Sequence, residues 1–319
     1  MIYKPNAIKK NSFTDKMKIG LKLIILIILP FIATNCIKDD ECCYPRDHTV
    51  LGLKFRYATA TDAQQQSTVS QAPLLTVFIF DDKGIFISQM NDSSSRVNDD
   101  YIMELPYQKG SYQFVTWAGY NENYYQLSAR VAGQTRINDF YLFLKREEGN
   151  RIINPPQLLY HGIHDIVKIE EGEKNIVWID LKQITNHIRV IAYNLNEKTN
   201  SIYIEDNNGK YGYDSHFADD DNITYIPAYS SSVNNSSRTS PLIADFTVMK
   251  LDKSRAARLK IADETGLVRY DENLIGKLLS KNPSINFDYD HDFTIEISFD
   301  NYIPVSIKIN GWEIINESV

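Results

Sequence analysis

The sequence predicts an all-β chain: two tandem antiparallel β-sandwich domains, with one short helix in the second. Three observations carry this. Tyr (20) and Phe (14) are abundant, and with Ile, Val and Thr they favour strands. Apolar and polar residues alternate with period two in many short segments, while helical periodicity is rare. The chain has 319 residues, and a domain takes roughly 100–200. Apolar residues make up 43%, enough to fill packed cores. The net charge of −7 argues against nucleic acid as a partner, which needs basic stripes. It also gives no attraction to anionic lipid headgroups.

The chain opens with a basic, then apolar, start. Lys4, Lys9, Lys10, Lys16, Lys18 and Lys22 precede the run Leu23–Ala33. That run is too short to cross a bilayer, which needs roughly 20 apolar residues, and fits the apolar core of a signal peptide. Ala33 stands three positions before Cys36, and Lys38-Asp39-Asp40-Glu41 follows. The pattern resembles a bacterial lipobox in which Cys36 is acylated and becomes the first mature residue, although Asn35 stands where Gly, Ala or Ser is usual. The acidic cluster resembles the surface-export signal of Bacteroidota lipoproteins. The expected organisation is 1–35 signal peptide, 36–48 tether, 49–185 first domain and 186–319 second domain. More than one acyl chain on Cys36 anchors stably where one would not. All three cysteines (36, 42 and 43) precede the domains, so no disulfide staples either core.

In the first domain, Leu51, Leu53 and Phe55 alternate with polar neighbours. Leu74–Phe80 is nearly all apolar, which fits a strand buried on both faces. Asp81-Asp82-Lys83-Gly84 turns it into a hairpin with Ile85–Gln89. Further strands are expected over Asp99–Leu105, Tyr112–Gly119, Phe140–Leu144, Ile166–Ile169 and Ile176–Leu181. Within Tyr112–Gly119, Phe114 faces one side, Val115 and Trp117 the other. Val177, Ile179 and Leu181 share a face. The pattern breaks at Gln183–Asn186, where the boundary is placed.

The second domain opens with Ile188, Val190 and Ala192 on one face. A strand over Ser201–Glu205 leads to the turn Asn207-Asn208-Gly209. Tyr211–Thr239 reads as long polar loops. Strands are expected over Leu242–Leu251, Ala257–Ile261 and Phe293–Phe299. Asp271–Leu279 reads as a helix capped by Asp271, with Leu274, Ile275, Leu278 and Leu279 as its apolar stripe. Ile303, Val305, Ile307 and Ile309 give the cleanest alternation, and Gly311 marks a bend or bulge. This stretch is expected to serve its own domain, although it could donate or receive a strand; Trp312–Val319 is left open.

Little in the chain marks chemistry. His161 and His164 point to different sides of a strand, with no third ligand placed nearby. Asp219–Asn222 lacks calcium-loop spacing and, like Asp288–Asp292, reads as a solvated acidic turn. Trp117, Trp178 and Trp312 are expected in cores. No nucleophile elbow, zinc-protease helix or phosphate-binding glycine loop is present, so no catalysis, cofactor, metal or small-molecule substrate is expected.

The leader, Leu75–Gly84, Tyr112–Gly119, Leu158–Gly162, Leu181–Val190 and Ile309–Trp312, in this order, resemble the fimbrium anchor subunits of Bacteroidales. The resemblance implies two transthyretin-like β-sandwiches. It implies a lipoprotein anchoring a type V pilus to the outer membrane through Cys36, limiting fibre length and meeting a pilin subunit, with no enzymatic activity. A tip or accessory fimbrial subunit shares the architecture. The address and the Tyr and Trp content also allow a surface glycan-binding lipoprotein.

Overall fold

The computed structural model describes residues 50–58, 74–93, 98, 100–107, 109–170, 174–195, 198–230 and 241–314. The leader, Cys36, Cys42 and Cys43 lie outside them. In chain order the strands are β1 (Val50–Tyr57), β2 (Leu75–Asp81), β3 (Phe86–Asp92), β4 (Met103–Leu105), β5 (Gly110–Ala118), β6 (Tyr125–Leu127), β7 (Tyr141–Leu144), β8 (Arg151–Ile152), β9 (Tyr160–Ile169), β10 (Lys174–Gln183) and β11 (Thr185–Tyr193). There follow β12 (Asn200–Asp206), β13 (Lys210–Gly212), β14 (Ile223–Tyr225), β15 (Ala228–Ser230), β16 (Leu242–Met249), β17 (Arg258–Asp263), β18 (Val268–Asn273), helix α1 (Leu274–Lys281), β19 (Asp292–Asp300), β20 (Ile303–Ile309) and β21 (Trp312–Ile314). The all-β expectation holds. Among the described residues three pairs nevertheless run parallel, β1 with β10, β11 with β19 and β14 with β8, each joining segments far apart in the chain, as parallel pairing requires.

The first sheet, of seven strands, has the order β3-β2-β5-β9-β10-β1-β4. β10 pairs with β1 along Lys174–Leu181 and with β9 only at Lys182 and Gln183. The sheet folds over there, and Leu51, Leu53 and Phe55 pack with Leu75, Val77, Ile79 and Phe114 in one core. The other face of β2 is buried too. Phe78 and Phe80, with Val115 and Trp117 from β5, enter a second, larger core. This is why Leu74–Phe80 shows no polar alternation: each of its faces closes a different core. At the hairpin, Gly84 takes φ +72°, and an added Cβ would lie 2.8 Å from Ile137, so both conformation and space call for glycine. Asp81 Oδ1 accepts from the Lys83 and Ile85 amides at 2.9 and 2.8 Å.

The second half stacks β15-β16-β11-β19-β20-β21 on β18-β17-β12-β14-β8. Ile188, Val190, Phe246, Ile295 and Ile297 belong to the same core as Ile202, Ile204, Leu259 and Ile261. Helix α1 begins later than the sequence suggests. Its cap is Asn273, whose side chain accepts from the Gly276 amide at 2.7 Å, while Asp271 lies in β18 and accepts from Arg258 Nε at 2.5 Å. Leu274, Ile275 and Leu278 are buried as expected, with Leu279 packed alongside.

Two short strands pair with segments far along the chain. β8 joins the β12–β14 sheet by pairing Arg151 and Ile152 with Thr224 and Tyr225. β13 pairs with β7 through Tyr211 and Leu142. The stretch from Tyr211, expected as polar loops, is therefore threaded by β13, β14 and β15, with Tyr211, Ile223 and Tyr225 buried. Among the described residues, the strand expected over Asp99–Leu105 is confined to Met103–Leu105.

Candidate functional site

His161 and His164 do not converge. His161 is buried against Trp117, its Nε2 2.8 Å from the Tyr213 carbonyl oxygen, and desolvation pushes its pKa down to about 4. His164 Nδ1 instead lies 2.7 Å from the Asp165 carbonyl oxygen. Among the described residues no three His, Cys, Asp or Glu side chains are grouped to hold a metal. Asp220 pairs with Arg146 at 2.7 Å and Asp288 with Lys250, so both acidic turns are structural braces. Trp117 is a core residue. Trp178 is not: it is 43% exposed, with Lys54 and Arg56 over its ring at 5.1 and 5.8 Å. Because Val177, Ile179 and Leu181 turn inward, strand alternation turns Trp178 outward. The Trp312 side chain lies outside the described residues.

The alternation of Ile303–Ile309 is misleading in the same physical way. Ile307 and Ile309 are buried, but Ile303 is 67% and Val305 55% exposed. The reason is a register shift against β19: Ser298 faces Ser306, whereas Phe299 faces Pro304. Val305 is the extra residue of this bulge, and beyond it the faces exchange. Pro304, which has no amide hydrogen, fits such an irregular position. On its other side β20 meets β21 only through Ile307–Ile309. Among the described residues, nothing pairs with Ile303–Ser306 on that side. Among the described residues this leaves a short strand edge carrying two exposed branched apolar side chains.

A separate concavity of about 640 Å³ opens beside the crossing strands. Its walls come from β6, the turn joining β7 to β8, and Asp220 and Asp221. Periodicity could not reveal it, because it joins segments about seventy residues apart, brought together by the β13–β7 and β8–β14 pairings and the Arg146–Asp220 ion pair. Backbone bonds fix the walls: the Leu144 amide donates to Gly209 O at 2.7 Å, Lys145 to Tyr124 O at 2.8 Å, and Thr224 to Asn150 O at 2.9 Å.

The family model for fimbrillin-A associated anchor proteins Mfa1 and Mfa2 matches residues 40–318. The chain belongs to this anchor family. Solved structures agree on the anchor-family fold. The fimbrial anchor protein Mfa2 from Porphyromonas gingivalis is 22% identical, with a TM-score of 0.70 over 83% of this chain and 98% of that one. A Bacteroides thetaiotaomicron protein described as a candidate polysaccharide-binding protein is 24% identical, with a TM-score of 0.74 over 85% of this chain and 99% of that one. A candidate adhesin from the same organism is 19% identical, with a TM-score of 0.69 over 83% and 96%. A sequence search of curated proteins found no match. Among the described residues of this anchor-family chain, no helix is long and apolar enough to cross a membrane.

Proposed function

We propose that this anchor-family chain is a structural lipoprotein, acylated at Cys36, that holds the base of a fimbrium at the outer membrane and limits fibre length. The family match across residues 40–318 carries the reading. The leader supports the compartment. We further propose two modules dividing at residues 185 and 186, tied together by the exchanged strands β8 and β13.

The pilin contact is assigned to the edge at Ile303–Ser306. A partner strand laid there gains backbone hydrogen bonds for affinity and the exposed Ile303 and Val305 side chains for specificity. An acidic chain with no recognised catalytic motif suits scaffolding rather than turnover.

Immunogold labelling of the chain on intact cells tests the position. Label at the cell-proximal end of each fibre supports the anchor role; label at the distal end makes the chain a tip subunit. In a deletion strain the reading expects fibres that are longer and shed into the medium. Cell-bound fibres of unchanged length contradict it.

A further inference from the structure

We propose that the concavity beside the crossing strands is a binding site for an uncharged glycan segment, a role additional to anchoring. Its volume of about 640 Å³ falls in the range of small-ligand sites, roughly 300–1,000 Å³. Its chemistry selects the class of ligand. Asn123, Gln126, Asn150 and Asn154 line it, and each carboxamide both donates and accepts hydrogen bonds. Hydroxyl groups also do both, so rows of amides match rows of sugar hydroxyls.

The ionic lining is balanced: Lys145, Arg146 and Arg151 face Glu147, Asp220 and Asp221. Arg146 is moreover committed to Asp220, in a pair whose side chains are only 20% and 11% exposed. The pair neutralises its own field, so the cleft favours neither anions nor cations. This separates it from a phosphate site, which needs uncompensated donors, and from a calcium site, which needs clustered oxygens.

Apolar surface is present as well. Tyr124 and Phe143 line the cleft, and Ile153 is 47% exposed at its margin. Aromatic faces and apolar side chains complement the C–H faces of a pyranose ring. The fixed backbone of the walls means that little ordering is needed on binding.

The test uses full-length protein in detergent, titrated calorimetrically with neutral oligosaccharides (gluco-, manno-, galacto- and xylo-series) and with a sulfated oligosaccharide. Saturable binding of a neutral series is expected, weakened roughly tenfold or more by Gln126→Ala or Asn154→Ala, since one lost hydrogen bond of about 1.4 kcal/mol is tenfold. Both side chains are exposed, so thermal unfolding should stay at the wild-type temperature. Val268→Ser, on a distant sheet edge, should bind like wild type. Three results overturn the proposal: no neutral series binding, preference for the sulfated ligand, or binding that both cleft variants leave intact. None of these bears on where the chain sits in the fimbrium.

Discussion

The Tyr225 hydroxyl donates to Asn208 Oδ1 at 2.7 Å inside the core and accepts from the Met249 amide at 3.2 Å. Asn208 in turn donates to the carbonyls of Met249 and Lys250 at 3.1 and 3.2 Å. One buried polar knot thus ties β14, the turn before β13 and the end of β16. Tyr225→Phe leaves the Met249 N–H and one Asn208 lone pair without this partner. It should cost about 1–3 kcal/mol of stability, read as a lower urea midpoint at unchanged slope. An unaltered midpoint would show that the knot contributes nothing.

The exposed pair on β20 should separate docking from folding. Ile303→Asp and Val305→Asp replace solvent-facing side chains, so each should shift stability by no more than about 0.5 kcal/mol. Pilin co-purification should nevertheless fall sharply in the double variant. Retained co-purification would move the contact elsewhere.

His161 makes stability depend on acid. Burial lowers its folded-state pKa to about 4, against 6.5 for the ordinary group. Above about pH 6.5 both states hold it neutral and no penalty exists. As pH falls from 6.5 towards 4, the unfolded chain takes up a proton that the folded chain refuses, and stability drops. Below 4 the loss is complete, at roughly 3 kcal/mol. His291, also lowered by burial, adds a loss of the same sign. His161→Gln should flatten the stability–pH curve over this window, measured by urea unfolding at stepped pH. A curve as steep as wild type would contradict this.

The Asn273 cap gives a local test. Its side chain meets the Gly276 amide at 2.7 Å, and Asn273→Ala should cost about 1 kcal/mol. Asp271→Ala should leave the helix start intact, because Asp271 braces Arg258 instead. Hydrogen exchange at Leu274–Leu278 distinguishes the two.

Much of the fold was legible in local pattern. The unbroken apolar run of β2, the Gly84 turn and the alternating faces of β5 and β11 each follow from burial on one or two sides. What the pattern hid was long-range. β8 and β13 are two and three residues long, too short for any periodicity, and their partners lie far along the chain. The bulge opposite Phe299 reversed the faces of Ile303 and Val305 although the alternation continued unbroken. The concavity is lined by segments far apart in the chain that those short strands help bring together. Trp178, by contrast, could have been placed from the inward parity of its neighbours Val177 and Ile179.

The tether is the claim on which the functional account turns. Cells producing Cys36→Ala in place of the native chain should be fractionated, and fimbriae counted in the cell and medium fractions. The account predicts fibres released into the medium, with the variant chain lost from the outer-membrane fraction. Fibres that stay cell-bound at normal length with Cys36 replaced would contradict it.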